Sequence, residues 1–465
     1  MRRAVPGALL ASAVSAGLAM LGMTSAGAAS GVVATGQTGP VLAAPADTPQ
    51  LAATGTVEQV RQIVQCGSTM YAVGSFTSIE HNGTDYAVNN AFSFSAKAGY
   101  VVTSWAPDVN GTVDSIAFNG TDCSDAYIGG KFTSVDGTKV ANIAEVSTST
   151  GALVTAFGHS ANGQVSTLLG VDGHILAGGY YTTINGSTAD PYMTSLNPVT
   201  GNDDGFVSLD ISGNYSYAPN NATRVYNQAL SNGGTLDLVM GDFTSAGGLP
   251  RQQIFMLNLA TSPATVTGWT SPEWDGSDGE AVPDDFNNDY SGGYPYQCYQ
   301  SEPFYIQAAA WSPDDSTIYI ATTGYHPNGF YTGPTPRNGL CDAAAAFPAT
   351  QTSVLDEWVN YTGCDSLYAA AADASTAYFA GHERWSENPD DCDAAGPGAI
   401  PASGFEGLSP ANGDLTFNPT RARGLGADDM LDTSAGLWIA SDNQRGASEC
   451  AGKSGHAGIC FLPYS

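Results

Sequence analysis

Tyr71-Ala-Val-Gly74-Ser-Phe76-Thr-Ser-Ile79 decides how this chain is read, because it returns along almost the whole length. Tyr127-Ile-Gly-Gly130-Lys-Phe132-Thr-Ser-Val135, Leu176-Ala-Gly-Gly179-Tyr-Tyr181-Thr-Thr-Ile184 and Leu238-Val-Met-Gly241-Asp-Phe243-Thr-Ser are clear copies. Tyr319-Ile-Ala-Thr322, Tyr378-Phe-Ala-Gly381 and Trp438-Ile-Ala-Ser441 keep the aromatic-apolar-small pattern after the glycine drifts. The seven marks are separated by 56, 49, 62, 81, 59 and 60 residues, and the long step coincides with a polar insertion at about 275–300. A period of this size indicates a repeat array.

A short apolar run precedes each mark: Ile63-Val64, Ile116-Ala117, Leu168-Leu169, Gln228 to Leu230, Ala308 to Ala310, Ala369-Ala370 and Met430-Leu431. These are the expected innermost strands. Alternating runs such as Ala91-Phe-Ser-Phe94, Ile143-Ala-Glu-Val146 and Ile254-Phe-Met-Leu257 follow, closed by Trp105, Phe157 and Trp269. Alternation with β-branched and aromatic residues, punctuated by Asn-Gly and Thr-Gly, is a strand-and-hairpin signal. The expectation is an all-β chain forming a seven-bladed β-propeller of four-stranded blades, which leaves only short protected edges. Pro49-Gln50-Leu51 is expected to complete the last blade and close the ring.

Met1-Arg2-Arg3, the apolar run to Met23 and the small residues Ala26-Gly-Ala28 read as a secretory signal peptide over 1–29. Residues 30–47 are Ala, Gly, Pro and Thr and read as a flexible lead-in, with one propeller domain over 48–465. The protein is expected outside the cell or at its surface, without a membrane span and as a monomer.

Formal charge is −30, with 14 basic and 44 acidic residues, and removal of Arg2 and Arg3 takes it to −32. Nucleic-acid binding is disfavoured, since neutralising phosphates requires clustered Lys and Arg. The eight cysteines of an exported chain read as four disulfides. Cys66 and Cys123 occupy the same turn of consecutive repeats and are paired on that ground. Cys298 with Cys341, Cys364 with Cys392, and Cys450 with Cys460 complete the expected set. Four of the seven glycosylation-type sequons, at Asn82, Asn110, Asn119 and Asn185, are Asn-Gly pairs and read as tight turns.

With the repeat written out, the chain resembles secreted actinobacterial β-propellers built from the delta-sixty repeat. Gly74 to Thr77, Gly129 to Thr133, Gly178 to Thr182 and Met240 to Thr244 carry the likeness in the first four repeats. In the C-terminal third it rests on Trp311-Ser-Pro-Asp-Asp-Ser316, Asp365-Ser-Leu-Tyr368, Gly381-His-Glu-Arg-Trp385 and Leu437-Trp-Ile-Ala-Ser-Asp442. The resemblance implies the fold and brings no catalytic residues with it. Cys364 and Cys392 fall where that family usually has no cysteine.

Three groups are candidate sites. Asp285-Phe-Asn287-Asn-Asp289 sets oxygen ligands at alternate positions, as a calcium loop does, but Tyr290 replaces the expected glycine and the competing reading is a solvated acidic insertion. Trp274, Tyr290, Tyr294 and Tyr296, with His326 in the later Tyr325–Tyr331 run, place rings near carboxylates, as a sugar or peptide groove would. His382, Glu383, Arg384 and Trp385 are expected to converge at a channel mouth, His382 and Glu383 as an acid–base pair or, on the structural reading, Arg384 bridging blades while Trp385 packs. Serine-hydrolase signatures and zinc-ligand spacing among the six histidines are absent. The sequence therefore favours a secreted binding or scaffolding module for an extracellular glycan or protein. The alternatives are a carbohydrate-active hydrolase or lyase and a structural envelope protein.

Overall fold

The computed structural model describes residues 39–40, 43–171, 173–214, 222–275, 305–324, 340–389, 391, 394–419, 421, 423–444 and 449–464. The expected signal peptide, the calcium loop and most of the aromatic insertion lie outside them. Among the described residues the chain is all-β apart from the single helical turn Pro272–Asp275.

Seven sheets repeat one antiparallel order, and their first strands are Gln59–Cys66, Thr112–Asn119, Val165–Val171, Arg224–Leu230, Tyr305–Trp311, Leu367–Ala372 and Asp429–Thr433. Every apolar run read as an innermost strand lies on one of these, and every aromatic-apolar-small mark begins on the second strand. Each first strand packs beside the first strand of the next sheet, and Asp429–Thr433 packs beside Gln59–Cys66. The arrangement is a β-propeller.

The core is partitioned accordingly. One apolar cluster fills the space between each pair of neighbouring sheets, including the pair formed by the last sheet and the first. In that last seam Trp438 stacks on Phe461 at 4.1 Å and touches Phe94 at 5.5 Å. Tryptophans of the outer segments reach the next repeat: Trp105 donates to the Ser147 carbonyl, Trp269 to Pro348 and Trp358 to Pro410, at 2.9–3.1 Å. A buried indole whose N–H finds a partner couples apolar burial to one defined orientation.

The glycine of the repeat has a steric origin. A Cβ on Gly74, Gly130, Gly179, Gly241 or Gly381 would stand 2.1–2.2 Å from a carbonyl oxygen at the start of, or just before, the adjacent first strand. The residue that ends the following loop is equally constrained: Asn90, Asn142, Tyr192 and Gln253 all have φ between 64° and 70°, and each carbonyl accepts the N–H of its sheet's glycine.

Three expectations need correction. Among the described residues only the fourth, fifth and sixth sheets have four strands. In the first three, the outer segment is reduced to single bridges, Phe94 to Val102, Val146 to Leu153 and Leu196 to Asp203, and the seventh sheet has three strands. Gln50–Leu51 does not extend the last sheet. It pairs with Ser78–His81, because Leu51 is drawn into the apolar seam with Ile79 and Ile459 while its N–H donates to the Ala457 carbonyl at 2.7 Å. The residue that bridges the last strand is Pro40, opposite Tyr464. Finally, the end of the lead-in is packed: Ala44 is buried, and the Asp47 carboxylate accepts the Gly99 N–H at 3.0 Å.

Cys66 is joined to Cys123 across the first and second sheets, with a Cα separation of 5.8 Å, and Cys450 to Cys460 within the seventh at 5.4 Å. Cys341 and Cys364 are also in disulfides, while Cys298 and Cys392 lie outside the described residues. Of the Asn-Gly turns, Asn82-Gly83 and Asn185-Gly186 have positive φ at both positions. Asn110-Gly111 has neither, and Asn110 instead caps the Thr133 and Ser134 N–H groups.

Candidate functional site

Six of the seven first strands carry a β-bulge at the same place, where the register skips Arg61, Asp114, Ser166, Tyr226, Gln307 or Tyr368. A bulge leaves one residue out of the ladder and bends its strand. Here all six skipped residues line one polar cavity of about 910 Å³ where the first strands meet. Asp428, just before the seventh first strand, takes the corresponding place. The volume lies within the range of small-ligand sites. Toward the other end the passage narrows to about 130 Å³ between walls that include Ala308–Ala310 and Ala369–Ala372.

In the first four sheets the residue after the bulge ties its sheet to the next, and Asp429 does so across the last seam. Gln62 Oε1 accepts the Ile116 N–H at 2.7 Å, Ser115 Oγ accepts that of Leu168 at 2.9 Å, and Thr167 Oγ1 accepts from Gln228 Nε2 at 3.2 Å. Asn227 Nδ2 donates to the Gln307 carbonyl at 3.0 Å, and Asp429 Oδ2 accepts the Ile63 N–H at 2.9 Å across the last seam. This belt holds the side chains of the cavity in fixed relative positions.

Charge in the cavity is unevenly compensated. Arg61 Nη1 lies 3.4 Å from Asp428 Oδ1, and Gln164 Nε2 donates to Asp114 Oδ2 at 2.7 Å. Burial raises Asp428 to about 7 against the opposing effect of Arg61, raises Asp429 to about 7, and raises Asp114 as well. Lys131 and Arg224 also line the cavity. Between their sheets stands Tyr180, whose ring is 52 % exposed on the lining.

The cluster from His382 to Trp385 divides. Arg384 donates two hydrogen bonds to Asp365, from Nε at 2.6 Å and Nη2 at 3.0 Å, and Arg423 approaches the same carboxylate at 3.4 Å. His382 Nε2 is 3.9 Å from Asp365, and its Nδ1 meets the Tyr368 hydroxyl at 2.9 Å, so His382 stands behind a cavity residue. In these contacts Arg384 ties the turn before the sixth first strand to the segment after the second strand of the same sheet.

Glu383 does not pair with His382. Glu383 is fully buried, neither of its carboxyl oxygens has a hydrogen-bond partner, and its carboxyl is pushed well upward by burial and by Glu406. Glu406 is itself raised to about 8 by burial. Trp385 begins a two-residue ladder with Pro401 and is half-buried.

Trp274 falls in the Pro272–Asp275 turn. Tyr290, Tyr294, Tyr296, His326 and the calcium candidates Asp285, Asn287 and Asp289 lie outside the described residues. Sequence reasoning missed the bulge residues. Their signal is a position rather than a residue type: each follows an apolar residue and stands one or two places before its apolar run, as in Val60-Arg61-Gln62-Ile63 and Leu367-Tyr368-Ala369-Ala370.

Among the described residues no helix is long and apolar enough to cross a membrane. No known protein family matches the chain, and no curated protein is similar to it. Solved structures are similar in fold. The WD40 β-propeller domain of Doa1 aligns at 13 % identity with a TM-score of 0.41, covering 84 % of this chain and 94 % of that one. Saccharomyces cerevisiae Sqt1 aligns at 8 % identity and 0.45, covering 87 % and 96 %. Hydrazine synthase of Kuenenia stuttgartiensis aligns at 11 % and 0.44, covering 85 % and 99 %. The propeller assignment stands on the seven sheets and their order of packing.

Proposed function

We propose that this chain is a secreted, monomeric seven-bladed β-propeller that binds a glycan in the polar cavity at the mouth of its central channel. One observation carries the reading: a repeated bulge takes a side chain of each of six sheets out of its ladder and sets it on the cavity lining. The lining offers amides, hydroxyls, paired charges and tyrosine rings. Hydrogen-bonding groups suit sugar hydroxyls, and ring faces suit the apolar C–H surfaces of pyranoses. A folded protein partner would favour a broad, apolar-centred surface over a polar cavity.

Binding is favoured over hydrolysis or lysis because the lining carboxylates are already engaged: Asp428 with Arg61, Asp429 with the Ile63 amide and Asp114 with Gln164. A glycosidase needs two available carboxyl groups about 5–10 Å apart. Action outside the cell is supported by the basic, apolar and small-residue succession over 1–29 and by the disulfides. The repeat marks support placement among the delta-sixty propellers.

The test is a glycan-array screen of the mature protein, with and without calcium, beside the variant Ser166→Trp, which fills the mouth from a bulge position. Retained glycans that are lost on Ser166→Trp at unchanged melting temperature are the expected result. Binding that survives this variant, or no binding to any glycan, overturns the reading.

A further inference from the structure

The cavity has a second asymmetry, carried by three neighbouring sheets. Lys131 ends the second strand of the second sheet, Tyr180 follows the second strand of the third, and Arg224 opens the first strand of the fourth. All three line the cavity. Elsewhere on the lining Arg61 is paired with Asp428 at 3.4 Å. Among the described residues neither Lys131 nor Arg224 has an ion pair. Arg224 is held in place from below, its guanidinium carbon 5.6 Å from the Tyr226 ring centroid, and its Nε is buried without a hydrogen-bond partner.

Two cations without a contact ion pair, of which Lys131 lies within Coulombic range of Asp114, stand out from the general surface of a chain of charge −30. The repulsion of distant surface acids is screened over about 8 Å at physiological ionic strength, whereas groups in contact within a recess are screened much less. A planar guanidinium matches a carboxylate with two parallel hydrogen bonds, and an ammonium adds a point charge. The ring of Tyr180, between them in sheet order and half exposed, offers a face to the C–H side of a pyranose.

Resting on the glycan-binding reading, we infer that the subsite formed by Lys131, Tyr180 and Arg224 takes a sugar bearing a carboxylate, a uronic-acid-type residue, with the carboxylate on the two cations and the ring on Tyr180. Gln164 and Ser166, on the intervening sheet, face the hydroxyls of the same residue.

The experiment is calorimetry on the full mature chain with oligogalacturonate, oligomannuronate and hyaluronate fragments, each beside its carboxyl-reduced neutral counterpart. The expected result is at least one acidic oligosaccharide bound about tenfold or more tightly than its neutral form, the order that charge-assisted hydrogen bonds supply. Arg224→Gln and Lys131→Gln should each remove that preference at unchanged melting temperature, and Arg224→Lys should restore part of it. Equal binding of acidic and neutral forms, abolished by Ser166→Trp, overturns this inference and leaves the glycan-binding reading intact. An acidic preference untouched by Arg224→Gln and Lys131→Gln overturns the subsite. Absence of binding to every oligosaccharide in both series, and to every glycan on the array, overturns both.

Discussion

Arg61 Nη1 and Asp428 Oδ1 face each other at 3.4 Å across the line where the first sheet meets the seventh. The contact joins residues 367 positions apart, beside the hydrogen bond that the Ile63 N–H donates to Asp429 Oδ2. Both carboxyls are raised to about 7, chiefly by burial.

The pH dependence follows from that direction. Between the ordinary aspartate value near 4 and a folded value of about 7, the unfolded chain has released a proton that the folded chain still holds. Stability therefore falls as pH rises through this window. Melting temperature is expected to be higher at pH 5 than at pH 8, opposite to the trend set by carboxylates stabilised as anions. Asp428→Asn should flatten the slope. A melting temperature that rises steadily from pH 5 to pH 8 would contradict this account of the seam.

Gly74→Ala tests the close approach of the second strand to the first. The added Cβ would meet the Gln59 carbonyl oxygen at 2.1 Å, with the Val60 Cα at 2.9 Å, and both are backbone. The expected cost is about 1–3 kcal/mol or more. At Gly83, where φ is 78° and nothing lies within 4 Å, alanine costs only the backbone strain of a left-handed residue, about 1 kcal/mol. Chemical denaturation of the two variants should rank them in that order.

The Cys66–Cys123 bridge spans a sequence separation of 57 and staples neighbouring sheets, whereas Cys450–Cys460 spans 10 within one sheet. Losing a native disulfide costs about 2–5 kcal/mol, more for the longer loop in the chain-entropy account. Replacing Cys66 and Cys123 with serine should lower the denaturation midpoint further than the same change at Cys450 and Cys460. The reverse order would show that strain or residual structure outweighs loop length.

Much of the fold was legible because its constraints fall on residue types. The aromatic-apolar-glycine mark exists because Gly74, Gly130 and Gly179 abut a carbonyl oxygen, and the apolar runs exist because the first strands are buried between sheets. The functional surface was hidden for the converse reason. A bulge adds one residue to a period-two pattern, so the parity that predicts inside and outside before Arg61 fails after it. The six bulge residues also share no chemistry. Glu383 was misread because adjacency in sequence placed it with His382, while its side chain is fully buried and His382 meets Tyr368. Gln50–Leu51 is too short for its own pattern to choose a partner strand; the apolar seam around Leu51 chose it.

Since the bulge residues stand outside the ladder, the scaffold is largely indifferent to what they are. Positions 166 and 307 are the part of this spoke-by-spoke palette that drift or a combinatorial library can rewrite while the glycines and seams stay as they are, whereas Arg61, Asp114 and Tyr368 are tied to Asp428, Gln164 and His382. Tyr226 is less free, because its hydroxyl donates to the Ile306 carbonyl of the next sheet. Closely related chains with unchanged cores would then be expected to differ in what they capture, and the divergence should concentrate at these few sites.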